Sequence, residues 1–295
     1  MSILACWKTD IDGEWERLYL VADSKFSDSR TNASMLQLGQ KVFNLTVRAR
    51  YPIVVPSPET EVCLTMGLGF VGNVMLGHAM VNLANSFMGN LFKFGKIYRN
   101  EMPTMEDIVD KLALLFNQLV EKGEIHRTNA YSTQFVLVGR CPKSDVRKAF
   151  RFGMHEDTGP CREEIQFPKH ETLPISQVAL FGDRIDLFQN SIARHLEARQ
   201  SSGSEIRGPL LDPINALNEV MQSKEVKSVG GWLHGGVVAK SEFGLRSFRR
   251  FYKETRGHIF HDYSFLGLRT SDISFSLGKF DFILGPIEEL TWADD

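Results

Sequence analysis

Ser2 carries the most concentrated chemistry in the chain, on one condition. Removal of Met1 is favoured when the next side chain is as small as serine's, and it would leave a hydroxyl and a free α-amino group on one residue. The hydroxyl is a nucleophile. The α-amine has an unperturbed pKa of about 7.7–8.0, so a useful fraction is neutral near pH 7. It would take the Oγ proton, directly or through a water, while Oγ attacks a carbonyl. Three further groups would make such a residue effective. A buried lysine would lower the pKa of the amine, a carboxylate would keep that lysine ionised and oriented, and a glycine N–H would receive the carbonyl oxygen as it becomes an oxyanion. Many proteins begin Met-Ser and use neither group, so the weight rests on the surroundings of Ser2.

Those surroundings are the ends of predicted strands. Residues 3–8 read as a strand starting almost at once, and 17–22 as a second that ends in Ala22-Asp23-Ser24-Lys25. Asp10, Asp12 and Gly13 between them suit a hairpin connection. A third strand over 41–47 opens on Lys41-Val42-Phe43, and a fourth over 61–68 runs into Gly67-Leu68-Gly69-Phe70-Val71-Gly72. The three prolines between 51 and 58 predict an extended loop. Two helices follow, over 71–94 and 105–122; the second has Ile108, Leu112, Leu115 and Leu119 on one stripe, and Thr104 with Asp107 at its start. Strands return at 133–139, 149–154, 164–168 and 177–181. Helices are predicted at 185–199 and 213–222, with a loop at 201–204 between them, and strands again at 236–239, 247–252 and 273–284. Strands, two helices, strands, two helices, strands is the order of a layered α+β fold with helices outside packed sheets.

Composition narrows the function classes. The 295 residues are 43% hydrophobic and 24% charged, enough for a large core. With 34 Lys and Arg against 36 Asp and Glu, the net charge of -2 gives no basic surface for nucleic acid. The longest apolar stretch, 71–94, is interrupted by Asn73, His78, Asn82, Asn85, Asn90 and Lys93, so it suits a buried helix better than a membrane span. The first residues lack the basic and apolar regions of a signal peptide. A soluble cytoplasmic protein is expected. The four cysteines show no CxxC spacing; reduced thiols are expected, three of them packed as small hydrophobes.

Taken in order, these segments resemble the proteasome family of N-terminal nucleophile hydrolases. In that family a first-residue Thr, Ser or Cys opens the first strand, an acidic residue ends the second, a lysine opens the third, and a glycine turn leads into a long helix. The matching pieces are Ser2, Ala22-Asp23-Ser24-Lys25, Lys41-Val42-Phe43 and Gly69-Phe70-Val71-Gly72-Asn73. Phe135 to Gly139, Ala179 to Gly182 and Ser228-Val229-Gly230-Gly231 extend the resemblance in order to about Val238. The bacterial Anbu-type members and the peptidase subunits of ATP-dependent proteases look closest. The resemblance implies Ser2 as nucleophile with its own amine as base, Asp23 supporting Lys41, and the Gly69 N–H in an oxyanion hole. Lys25 and Ser228 would be accessory. The chain departs from the family in Ser2 for Thr, Lys25 for Arg and Asn73 for Asp, in the missing Asp/Ser pair near Ser228, and in about fifty unmatched C-terminal residues.

Other residues invite weaker readings. The glycines at 67, 69 and 72 lack the Lys-Ser/Thr that would complete a phosphate loop. Cys6 reads as a core thiol. His258, His261 and Asp262 could hold a metal, but a surface turn is the expected role. Arg246, Arg249, Arg250 and Lys253 suit a solvated or interface strand. The expectation is thus a four-layer αββα sandwich of two antiparallel sheets flanked by helix pairs, one domain over 2–240 with a C-terminal extension over 241–295 packed on it. The resemblance implies peptidase action on peptides or unfolded chains, without metal or organic cofactor, in a homo-oligomeric ring or open ring. An unfoldase ATPase partner is left open. Two other readings stand beside it: an inactive proteasome-like scaffold, and an amidase for small substrates.

Overall fold

The computed structural model describes residues 2–9, 16–27, 34–36, 39–50, 61–93, 98–167, 178–202, 212–223, 229–231, 233–239, 242–253, 259–265, 268–269, 276–277, 280–281 and 287–289. The chain opens with β1 (Ile3–Thr9), β2 (Arg17–Asp23), the short pair β3 (Phe26–Ser27) and β4 (Ser34–Leu36), β5 (Val42–Arg50) and β6 (Glu61–Val71). Helix α1 (Val74–Met88), β7 (Leu91–Phe92), α2 (Met105–Lys122) and α3 (Arg127–Tyr131) follow. Then come β8 (Gln134–Arg140), β9 (Arg147–His155), β10 (Gly159–Glu164), β11 (Val178–Gly182), α4 (Ile185–Ser202) and α5 (Asp212–Gln222). The last elements are β12 (Leu233–Ala239), β13 (Glu242–Lys253), β14 (Ile259–Phe265), β15 (Leu268–Arg269), the hairpin β16 (Ser276–Leu277) and β17 (Phe280–Asp281), and β18 (Ile287–Glu289).

One sheet runs β11-β1-β2-β12-β13-β14-β15, with β18 beside β13; the other runs β10-β9-β8-β6-β5-β7. The alternation of side chains along each strand sorts the core into three layers. In β1 and β2, Ile3, Ala5, Trp7, Tyr19 and Val21 face Phe188 and Ile192 of α4 and Ile214, Leu217 and Val220 of α5. Their neighbours Leu4, Cys6, Leu18, Leu20 and Ala22 face Val42, Val71, Val136 and Val138 of the other sheet. In β6, Leu64, Met66, Leu68 and Phe70 turn outward onto Met80, Ala84, Ile108, Leu112 and Phe116 of α1 and α2. The molecule is therefore the αββα sandwich: helices, sheet, sheet, helices. The chain past residue 240 enters the same sheet, because β13 pairs with β12 from Ala239↔Glu242 onward.

Several boundaries differ from the sequence reading for local reasons. The helix expected over 71–94 begins at 74, because β6 continues to Val71 and Gly72 (φ 109°) turns the chain. Asn73 then caps α1, its side chain accepting from the Leu76 N–H at 3.0 Å. Gly89 ends the helix, and Leu91 and Phe92 pair as a strand beside β5. In α2 the capping box of Thr104 and Asp107 forms as read, and Val109, Phe116 and Val120 join Ile108 and Leu112 in the core while Leu115 and Leu119 are partly buried. The strand expected at 164–168 is displaced to β10, where Gly159 to Glu164 form a hairpin with β9; α3 is an additional short helix. Helix α4 extends through Ser202, into the loop expected at 201–204. His261 and Asp262 lie in β14, not in a turn. Of the cysteines, Cys6 and Cys141 are buried and Cys63 and Cys161 are exposed, so two are packed inside rather than three. The expected connections at 10–14 and 51–58, and much of the strand expected at 273–284, lie outside the described residues. Among the described residues no helix is long and apolar enough to cross a membrane.

The two sheets approach closely at Phe243. A Cβ added at Gly67 of β6 would sit 2.5 Å from its ring, and one at Gly236 of β12 would sit 2.4 Å from it. Glycine is required there by close approach, since overpacking of this kind costs about 1–3 kcal/mol. Gly67→Ala is expected to lower the stability of the folded chain by that amount in a urea titration, with the m-value unchanged.

Candidate active site

Ser2, Asp23 and Lys41 converge at one end of the sandwich, and all three are buried, Asp23 and Lys41 completely so. Pairing of β1 with β2 (Leu4↔Ala22) brings the end of β2 beside the start of β1. Asp23 Oδ1 accepts two bonds, from Lys41 Nζ at 2.7 Å and from the Ile3 N–H at 2.9 Å. Its Oδ2 accepts from the Gly230 N–H at 3.2 Å. The Lys41 ammonium is thus tied through one carboxylate oxygen to the peptide that follows Ser2. Lys41 Nζ also donates to the Lys25 carbonyl at 2.6 Å, so Lys25 enters the site through its backbone. Burial pulls the Lys41 ammonium below the usual lysine range, while the Asp23 charge and hydrogen bond, and then Asp183, pull it back.

Two residues that sequence reasoning missed complete the cluster. His234 of β12 is fully buried; its Nε2 accepts from the Lys41 N–H at 3.2 Å and lies 3.3 Å from the Asp23 carbonyl. Burial, and then the Lys41 charge, push this imidazole down to about 3, so it is neutral at ordinary pH. Nothing local in the sequence marks it, since the β2–β12 register (His234↔Ala22) brings it there. Asp183 follows β11, on the other side of β1. Its N–H donates to the Ser2 carbonyl at 2.8 Å. The turn that allows this is Gly182, at φ 100°, where a Cβ would lie 1.9 Å from that carbonyl oxygen. The Gly182-Asp183 pair ending a β run was the available signal.

Gly69 sits elsewhere in the fold's logic. It lies within β6, opposite Val42 on one side and Val136 on the other. The Phe70 N–H donates to the Lys41 carbonyl at 3.0 Å. By ladder alternation the Gly69 N–H then points to β8, where it is engaged within the sheet. Its Cα faces the other sheet: an added Cβ would be 2.5 Å from Leu4 Cδ1. Close sheet packing is thus a sufficient reason for this glycine. Ser228 lies outside the described residues, although Gly230, two residues on, donates its N–H to Asp23. Burial pushes the Cys6 thiol up, as expected of an inert core thiol. Among the described residues no group of three His, Cys, Asp or Glu side chains could hold a metal ion.

No protein-family model matches the chain, and no curated protein matches it. Solved structures do align with it. An Anbu (Gly-1) mutant from Hyphomicrobium sp. strain MC1 aligns at 12% identity and a TM-score of 0.47 over 83% of this chain and 85% of that one. The helical assembly of the Anbu complex from Pseudomonas aeruginosa aligns at 12% identity and 0.47 over 83% and 86%. Anbu (ancestral beta-subunit) from Yersinia bercovieri aligns at 12% identity and 0.43, over 81% of each chain.

Removing one partner of the buried pair strands the other charge. Lys41→Met is therefore expected to destabilise the chain by about 3–5 kcal/mol in equilibrium denaturation. His234 makes stability pH-dependent in a defined window. Its folded value of about 3 lies below the ordinary 6.5, so only the unfolded chain takes up this proton as pH falls from 6.5 towards 3. Stability is lost across that window, by up to about tenfold in the folding constant per pH unit, and levels off below it. His234→Gln is expected to remove this component, seen as a shallower fall of the urea midpoint between pH 7 and pH 4.

Proposed function

We propose that the chain is an N-terminal nucleophile hydrolase of amide bonds, with Ser2 as the nucleophile once Met1 has been removed. The observation that carries this reading is the fully buried Lys41 ammonium, fixed by Asp23 Oδ1, which also holds the Ile3 N–H. A charge held so close to the start of β1 would depress the pKa of a Ser2 α-amine and favour its neutral, proton-accepting form. Ser2 Oγ would attack the substrate carbonyl carbon as its proton passes to the amine. That proton would then go to the leaving nitrogen as the C–N bond breaks, leaving an ester on Ser2. Water, deprotonated by the same amine, would attack the ester and release the acid, restoring Oγ–H. Lys25 supports the array through its carbonyl. Gly69, with its N–H turned to β8, would serve as oxyanion donor only where that pairing opens; Ser228 stays accessory to the proposal through Gly230.

Peptides and unfolded chains are the proposed substrates, and a cytoplasmic homo-oligomer the proposed setting, both from the sequence resemblance. The exposed Met75 of α1 and Phe92 of β7 offer apolar surface for such contacts. An unfoldase ATPase would be the matching partner. One observation favours a second reading, a non-catalytic proteasome-like scaffold: Ser2 is only 2% exposed, so a substrate needs rearrangement to reach it.

Intact-mass measurement of the purified protein, with hydrolysis assays on fluorogenic peptides, tests the proposal. The mass is expected to correspond to a chain starting at Ser2, and Ser2→Ala to lower hydrolysis by on the order of 10³-fold or more. Retention of Met1, or hydrolysis unaffected by Ser2→Ala, would overturn it in favour of the scaffold.

A further inference from the structure

A second carboxylate reaches Ser2 from the strand on the far side of β1. Asp183 donates its N–H to the Ser2 carbonyl at 2.8 Å, and the Ser2 N–H favours the ionised form of its carboxylate. Asp183 Oδ2 is buried and has no hydrogen-bond partner. That is a costly arrangement for a carboxylate oxygen unless a donor comes to it. The charged groups that act on this carboxylate are the chain's amino terminus, Asp23 from β2 and Lys41 from the lead-in to β5. Asp23 differs from Asp183 in having both oxygens occupied, by Lys41, Ile3 and Gly230.

We infer that Asp183 is the positioning residue of the Ser2 α-amine: removal of Met1 adds N–H donors at the Ser2 nitrogen, and Asp183 Oδ2 is the acceptor waiting for one. The inference rests on the reading of Ser2 as an N-terminal nucleophile. With one N–H on each Asp183 oxygen, the remaining position on nitrogen is directed away from Asp183, where it is free to exchange a proton with Oγ. No bond to Asp183 is formed or broken; the proton that moves passes between Oγ and the amine. The carboxylate also favours the protonated amine and so opposes Lys41, setting the pH at which the amine becomes a base. Burial, and the repulsion from Asp23, push the Asp183 carboxyl above the usual aspartate range.

The test compares wild type, Asp183→Asn and Asp183→Glu in the processed, full-length protein. Two quantities are read: the α-amine pKa, from the pH dependence of its acylation by acetic anhydride followed by mass of the N-terminal peptide, and the pH profile of kcat/KM. Asp183→Asn is expected to lower the amine pKa and the acidic limb together, by on the order of one unit, with kcat reduced about tenfold or more. Asp183→Glu keeps the charge at a longer reach, so the limb stays near wild type while kcat falls. An Asp183→Asn protein whose amine pKa and limb are unmoved, with hydrolysis still dependent on Ser2, overturns the role of Asp183 alone. Should Asp183→Asn fail to fold, wild-type kcat in Asp183→Glu overturns it. Retained Met1, or activity indifferent to Ser2→Ala, removes the nucleophile reading and this role with it.

Discussion

The ion pair between Lys41 and Asp23 is the constraint around which the site end of the molecule is arranged. Both side chains are completely buried. Taking two such charges out of water costs several kcal/mol per ion, and their attraction offsets this only when the remaining polar capacity is filled. Asp23 fills it with three donors drawn from three places: Lys41, Ile3 at the start of β1, and Gly230 just before β12. Lys41 adds the Lys25 carbonyl, and its own backbone is held by His234 and Phe70. The pair therefore fixes the relative placement of β1, β2, β12 and the β5–β6 hairpin. Packed apolar residues would be at least as stabilising, so stability gives no reason for ions here. What an ion pair supplies and a leucine pair does not is a field, directed at the first residues of β1.

That field needs two sheets packed tightly enough to exclude water. Gly67 and Gly69 of β6 leave the space into which Phe243 and Leu4 of the opposite sheet project. Gly69, which read as an oxyanion donor, is thus also part of the seam along which the two sheets pack. The β8 ladder takes up the Gly69 N–H. Packing demand and catalytic demand are met by one residue type for different reasons, and the sequence carries no mark that separates them.

The layered architecture was legible because it depends on short-range pattern. The apolar runs of β1 and β2 and the 3.6-residue stripe with its Thr104–Asp107 cap in α2 are local signals, and each appears in the structure. Ser2, Asp23 and Lys41 were legible because they punctuate strand ends in an order that matched a known pattern. His234 and Asp183 were not, because each depends on register. His234 faces Asp23 only because β12 pairs with β2 so that it stands opposite Ala22. Asp183 reaches Ser2 only because β11 pairs with β1 so that Gly182 stands opposite Ile3. A one-residue slip of either strand would turn these side chains to the other face, and no local propensity reports which register wins. The short elements failed for a related reason: α3 and β10 owe their existence to packing on β9, which a window of sequence does not contain.

The two aspartates on either side of β1 divide the electrostatic work. Asp23, with Lys41 on one oxygen and two amides completing its shell, has both oxygens occupied. Asp183 is half-buried, with its Oδ2 buried and unpartnered, and raised in pKa by burial and by Asp23. It is the group able to respond when the charge on Ser2 nitrogen changes. Neutral His234 fits the same division, since an imidazolium beside Lys41 would add a second buried cation against a single committed carboxylate. With Lys41 favouring the free base and Asp183 the protonated form, a Ser2 amine would sit between opposing influences. Its working pH would be set by the geometry of β2 and β11 rather than by the amine itself.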